Sequence, residues 1–279
     1  MNRVRKFLTI FIIIVCLIMS SVFFSSQTQS LTPQNISQTV ETQPLSIMVQ
    51  KDLMFNGTLF SLIYPSVGSD FPLIICTTGS IGGYGDDQFM CFIENLVNNG
   101  FAVLDCNNSG YDGCPWKTYM VEANNNLEAL FPMIFNESLF QNNYGFTINS
   151  SMVACVGFSG GGGALLSYLD EPRVKTVVAI SPCYMEVTAG LSCPVLISCG
   201  VNESTLPYKE HGYQFYNQIE SEKMLIVSDD PGGHSVLNGV SYVVAWLRYQ
   251  LRSDVDGKAY LMHVDSNLES YAYANEDTS

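Results

Sequence analysis

Val153-Ala154-Cys155-Val156-Gly157-Phe158-Ser159-Gly160-Gly161-Gly162-Gly163 is the stretch that decides how this chain folds. An apolar run stops at Gly157, Ser159 follows, and glycines run from Gly160 to Gly163 before the helix-favouring Ala164-Leu165-Leu166. The pattern predicts a strand, a very tight turn and a helix. Gly157 and Gly161 give the G-x-S-x-G spacing in which a serine sits on a strained turn and projects above a sheet edge. The neighbours must be small because the chain reverses at once, and the central residue is pushed out of ordinary backbone space. The hydroxyl of Ser159 would then stand at a helix N-terminus, whose dipole favours developing negative charge. A glycine-rich turn with a chance serine would look the same in isolation, so the rest of the chain decides between the two.

Outward from this turn, strands alternate with helices. Upstream, Phe71–Cys76 is a continuous apolar run of the kind a strand buried on both faces requires. It is followed by a loop, Thr77-Thr78-Gly79-Ser80-Ile81-Gly82-Gly83, then by helical spacing over Phe89–Asn98, a strand over Phe101–Asp105 and a helix-period pattern over Val121–Phe131. Downstream come strands over Val174–Ile180, Pro194–Cys199 and Met224–Val227, with helices over Tyr213–Ile219 and Val236–Leu251. Ser46–Gln50 and Leu59–Tyr64, joined around Asn56-Gly57, read as two strands at an antiparallel edge. The fold class predicted is α/β, a mostly parallel, doubly wound sheet with helices on both faces. Right-handed crossovers then gather the strand C-termini and their loops on one edge.

The leader and tail read differently. Arg3, Arg5 and Lys6 precede an apolar run from Phe7 to Phe24, the pattern of an export signal. Cleavage is the favoured expectation; a retained single anchor is the alternative, because no sharp small-residue cleavage site follows. Either way the body of the chain is expected outside the cytosol. Residues 1–30 are therefore assigned to signal peptide or anchor, 31–45 to a disordered linker rich in Ser, Thr and Gln, and 46–253 to the α/β domain. Residues 254–279 read as a polar, acidic tail, with Tyr260-Leu261-Met262 as a short extra strand at most. Of nine cysteines, Cys16 falls in the leader, and the remaining even number suits an oxidising compartment. Cys106 and Cys114 flank a loop and form the expected disulfide, whereas Cys76 and Cys155 lie inside predicted central strands and read as buried thiols. Sequons at Asn35, Asn56, Asn107, Asn136, Asn149 and Asn202 add modest support for a secretory route.

A net charge of −14 argues against a nucleic-acid partner, which needs clustered Lys and Arg, and against docking on anionic lipid. No C-x-x-C or His/Cys cluster has zinc-ligand spacing, so no structural metal is expected.

Ser159 needs a base, and the chain offers three histidines. His211 lies in a predicted helix beside Glu210 and His263 in the C-terminal region; both read first as surface residues. His234 ends the loop Asp229-Asp230-Pro231-Gly232-Gly233, between the last predicted strand and the last predicted helix, where an imidazole can reach over the serine. The base in turn needs a carboxylate to hold its tautomer. Glu203 stands a few residues beyond the strand ending at Cys199. The order Ser159…Glu203…His234 is nucleophile, acid, base. Asp229 and Asp230 are rivals but would have to fold back onto His234; Asp105, at the end of a strand, suits a structural role. An oxyanion hole would take the backbone N–H of Gly160 and that of Ser80, with Thr78 as the weaker candidate for the second donor.

Together these pieces resemble the α/β-hydrolase fold and, within it, the cutinase-like polyester hydrolases, with more distant similarity to dienelactone hydrolases and chlorophyllases. The likeness runs from about Pro72 to about Leu251 and is carried by Gly157–Gly163, Phe101–Ser109, Pro194–Pro207 and Gly232-Gly233-His234-Ser235. It implies a serine esterase that needs no cofactor. The chain departs from the family pattern where Phe158 and Gly160 flank the serine instead of His and Met, where Ser80 replaces an aromatic residue, where Cys183 follows Ser181-Pro182 instead of Trp, and where Glu203 replaces Asp. Ester chemistry is therefore the expectation and a polyester substrate is not. Ser181–Cys193 is too short for a helical lid, so an open, shallow site suited to short acyl groups or exposed esters is predicted. The partners expected are a small-molecule or exposed ester, no nucleic acid, and a membrane only through a retained anchor, with the chain acting as a monomer. A peptidase of the same fold and a non-catalytic binding protein are the competing readings.

Overall fold

Nine strands form one sheet in the order β1-β2-β4-β3-β5-β6-β7-β8-β9 in the computed structural model, which describes residues 46–79, 86–106, 108, 115–185, 189–263 and 268–274. The central strands are β3 (Phe71–Thr77), β4 (Ala102–Cys106), β5 (Ile148–Phe158), β6 (Thr176–Ile180), β7 (Val195–Gly200) and β8 (Lys223–Ser228), all parallel to their neighbours within that set. β1 (Ile47–Phe55) and β2 (Thr58–Pro65) form an antiparallel hairpin that pairs antiparallel with β4. The β3, β4 and β7 side chains are all buried, as their unbroken apolar runs demand of strands covered on both faces.

Seven helices among the described residues cover the two faces: α1 (Asp87–Asn98), α2 (Trp116–Ile134), α3 (Glu137–Tyr144), α4 (Gly160–Tyr168), α5 (Gly212–Gln218), α6 (Val240–Arg252) and α7 (Val255–Leu261). On one face, Leu73, Ile75, Leu104, Cys155 and Ile197 pack with Leu127, Phe140, Leu165 and Phe215. On the other, Ile74, Val103, Ala154, Leu196 and Ile226 pack with Phe92, Leu96, Val243 and Trp246. The alternation along each strand thus assigns α1 and α6 to one side and α2 to α5 to the other. Thr176, a polar side chain buried under α6, is satisfied by accepting from Trp246 Nε1 at 2.7 Å and donating to the Pro194 carbonyl at 2.8 Å.

Two expectations need correction. The stretch expected as a polar tail carries α7 and a further strand, β9 (Leu268–Ala274), which closes the sheet by pairing antiparallel with β8. Tyr260 and Leu261 are helical rather than extended. Cys106 is a free, buried thiol, so the bridge expected from it is absent, and its expected partner Cys114 lies outside the described residues. The leader, the linker and Ser80 also lie outside them. Among the described residues, no helix is long and apolar enough to cross a membrane.

Candidate active site

Ser159 occupies the turn between β5 and α4 with φ 56° and ψ −122°, left-handed backbone that a non-glycine residue adopts only when its surroundings hold it there. Three backbone bonds do so. Its N–H donates to the Ile180 carbonyl at 2.9 Å, and its carbonyl accepts from Gly163 N–H at 3.0 Å and Cys183 N–H at 3.1 Å. The turn is tight enough to forbid side chains. A Cβ on Gly157 would meet the Gly161 oxygen and the Gly162 backbone at 2.6 Å, and one on Gly161 would overlap the Thr77 carbonyl. The glycine spacing in the sequence is therefore the steric requirement of helix α4 starting directly against β3 and β5.

β8 ends at Ser228, and the chain returns across the sheet edge in a loop carrying His234. This loop is pinned rather than loose. Asn238, fully buried, donates from Nδ2 to the Gly233 carbonyl at 2.8 Å and accepts at its own carbonyl from Ser198 Oγ at 2.6 Å. Gly200, at the end of β7, lets the backbone of Gly233 approach within the space any Cβ would need. Ser235 Oγ donates to Gln88 Oε1 at 3.1 Å, tying the loop to the first turn of α1. Sequence reasoning missed Asn238 and Gly200. Their signal is only their position beside the histidine loop, since neither residue type announces a role.

The result is a continuous hydrogen-bonded line. His234 Nε2 lies 3.1 Å from Ser159 Oγ, and His234 Nδ1 lies 2.6 Å from Glu203 Oε2. Glu203 is held from behind, its Oε1 accepting from Thr205 N–H at 2.8 Å and Leu206 N–H at 3.0 Å. Burial pushes the Glu203 carboxyl up, but the bonds from His234 and the two backbone N–H groups, with the imidazole charge, outweigh it and leave the group below the usual range. Glu203 is thus the ionised partner that a cationic imidazole needs. Among the described residues it is the carboxylate that meets His234. Asp229 and Asp230 are exposed in the loop itself, and Asp105 is buried in β4. His211 turns elsewhere, its Nδ1 accepting from Tyr184 N–H at 3.0 Å.

The remaining walls are aromatic and backbone. The Phe158 ring packs tilted on the His234 ring, centroids 4.8 Å apart. Gly79, after β3, faces the serine so closely that a Cβ there would lie 2.8 Å from Ser159 Cβ and 3.4 Å from Gly160 N. The loop after β3 and the first N–H of α4 therefore converge beside the hydroxyl, as an oxyanion hole requires. Ser80, the expected second donor, lies outside the described residues. Tyr119 braces that loop by donating its hydroxyl to the Thr78 carbonyl. Cys183, whose backbone N–H donates to the Ser159 carbonyl, has its thiol pushed up to about 11 by burial and stays protonated near neutral pH, so it offers no rival nucleophile. Among the described residues, no group of His, Cys, Asp and Glu is arranged to hold a metal ion.

Residues 63–278 match the family described as PETase, PET hydrolase-like. No curated protein matches the chain.

Proposed function

This chain belongs to the PET hydrolase-like family of α/β-hydrolases, and on that premise we propose that it is a serine carboxylic ester hydrolase working through Ser159, His234 and Glu203. The observation that carries the proposal is the unbroken line from Ser159 Oγ through both ring nitrogens of His234 to a buried, ionised Glu203. In this reading, Nε2 takes the hydroxyl proton as Oγ attacks the ester carbonyl carbon. Nδ1 keeps its proton and goes on donating it to Glu203 Oε2, which fixes the tautomer and stabilises the imidazolium. Charge developing on the carbonyl oxygen is met by Gly160 N–H and a second N–H from the loop after β3. The intermediate collapses, His234 returns the proton to the departing alkoxide, and an acyl-serine remains. Water then repeats the sequence, giving its proton to Nε2 and releasing the carboxylic acid.

The export signal read in the leader makes a secreted enzyme the matching proposal for location. The test is labelling by a fluorophosphonate probe together with hydrolysis of a p-nitrophenyl ester. Wild type is expected to do both and Ser159→Ala neither. Labelling retained in the Ser159→Ala variant would reject the assignment of the nucleophile, and a folded wild type that is inert in both assays would favour a binding protein.

A further inference from the structure

We propose that the ring of Trp116 forms the acyl-side wall of this site and selects esters whose acyl group presents a flat apolar face; the proposal rests on the Ser159 esterase reading. The starting point is Gly160, the residue after the nucleophile. A Cβ built there would lie 3.0 Å from Cδ1 and Cε1 of Tyr119 and 3.2 Å from Cζ3 of Trp116. The space that a side chain would occupy beside the reactive hydroxyl is thus already filled by two rings from the first turn of α2.

The two rings are not equivalent. Tyr119 is 1% exposed and spends its hydroxyl on the Thr78 carbonyl. It is a fixed brace. Trp116 packs edge-on to Tyr119, centroids 6.4 Å apart at 75°, yet is 38% exposed. A single exposed apolar side chain is ordinary on a protein surface. One that fills the place where the side chain of the residue after the nucleophile would lie is not, and the proposal sets the acyl substituent of the attacked carbonyl against it.

Topology says which half of the ester meets the ring. α2 follows β4, which lies on one side of β5 across β3; His234 follows β8, which lies on the other side across β6 and β7. The departing alkoxide must face His234 Nε2 to be protonated. The acyl substituent then points to the opposite side, toward Trp116. The indole offers a flat, rigid, apolar surface at small entropic cost, which favours an aromatic acyl group over acetyl.

The test holds the leaving group constant. With the full chain, kcat/KM is measured for p-nitrophenyl benzoate and p-nitrophenyl acetate in wild type, Trp116→Ala and Trp116→Phe. The benzoate-to-acetate ratio is expected to fall about three- to ten-fold in Trp116→Ala, the range one aromatic contact supplies, and to recover most of the way in Trp116→Phe. Equal losses on both esters would make Trp116 structural and overturn the proposal. So would an unchanged ratio in both variants, or a fall that follows the alcohol when acetates of phenol and ethanol are compared. A folded wild type that turns over neither ester and takes no fluorophosphonate fails at the esterase reading itself, an outcome distinct from a ratio that does not move.

Discussion

Replacing Glu203 by glutamine changes one atom and should remove nearly all turnover while leaving the fold in place. The carboxylate uses both oxygens. Oε1 accepts two backbone N–H bonds, from Thr205 and Leu206, and Oε2 accepts from His234 Nδ1 at 2.6 Å. The side chain is 1% exposed, so whichever group glutamine leaves unpaired finds no water. If its oxygen keeps the two backbone bonds, its NH₂ faces Nδ1. That nitrogen must then accept, which places the ring proton on Nε2, where it points at the serine and cannot take its proton. If the amide flips, the NH₂ meets two N–H groups, each left unsatisfied at roughly 1–3 kcal/mol. The first arrangement wins, and the cost falls on catalysis. A wrong tautomer at an equivalent position lowers kcat by roughly 10⁴, about 5 kcal/mol of barrier. The assay is kcat on a p-nitrophenyl ester beside a urea denaturation curve. A Glu203→Gln enzyme keeping a tenth of wild-type kcat with a native-like curve would refute the reasoning. Loss in Asp230→Asn with retention in Glu203→Gln would move the acid to the histidine loop.

Two further outcomes follow from packing and protonation. Gly161→Ala places a Cβ over the Thr77 carbonyl, with the Thr77 carbon at 2.6 Å and the Thr78 oxygen at 2.7 Å, all backbone. Helix α4 must back away from β3, and about 1–3 kcal/mol of stability should go, along with turnover, because the displaced residues lead into the oxyanion loop. Gly190→Ala, with nothing within 4 Å of its Cβ, is the control, and equal urea midpoints for the two variants would count against the steric account. His211 supplies a pH signature. Burial pushes its pKa below the ordinary histidine value, against the opposing charges of Glu210 and Glu203, and its Nδ1 must stay unprotonated to accept from Tyr184 N–H. A depressed folded pKa means that the unfolded chain binds the proton first. The stabilisation is complete above about pH 6.5 and drains away as pH falls from there through the folded value. His211→Asn should therefore flatten the fall in Tm just below that pH, and an unaltered slope would remove His211 from the account. Glu203, also depressed, loses its contribution only at lower pH, below the unfolded carboxylate value, so the two windows separate.

What could be read from the sequence divides along physical lines. β3 and β5 to β8 were legible because the part of a strand covered on both faces must be apolar, and five such runs, most of them separated by helical spacing, leave few alternatives. Ser159 and His234 were legible because a tight turn and a loop after a strand are local facts. α2 begins at Trp116 and runs past Pro132, wider than the Val121–Phe131 pattern, since the periodic apolar signal covers only the part facing α4 and the sheet. α3 went unread because Phe140 is its one buried side chain; its only marks are Asn136, whose side chain accepts from Leu139 N–H, and the left-handed Gly145 that ends it. β9 was hidden for another reason. It is an edge strand whose pairing with β8 is long-range, and nothing within residues 268–274 encodes a partner. Trp116 was invisible as a site residue because its position depends on a glycine more than forty residues away.

The same long-range dependence explains how a strained serine can be held where it is needed. A left-handed non-glycine residue costs about 1–3 kcal/mol, and that cost persists only if the surroundings impose it. Here the imposition comes from β6 and its following loop: Ile180 receives the serine N–H and Cys183 donates to its carbonyl. The next residue, Tyr184, is fixed in turn by its N–H bond to His211, by accepting from Gln218 Nε2 at 2.5 Å and by edge contact with the Phe215 ring 4.9 Å away. Helix α5, far from the serine along the chain, thus anchors the loop that holds the elbow in its strained shape. Protonating His211 would remove the acceptor for Tyr184 N–H and slacken that anchor. If the elbow depends on it, the acid loss of stability and a part of the acid loss of turnover should share His211 as a common origin, and His211→Asn should soften both together. A variant that softened the stability profile while leaving the turnover profile untouched would show that the elbow holds its shape without α5.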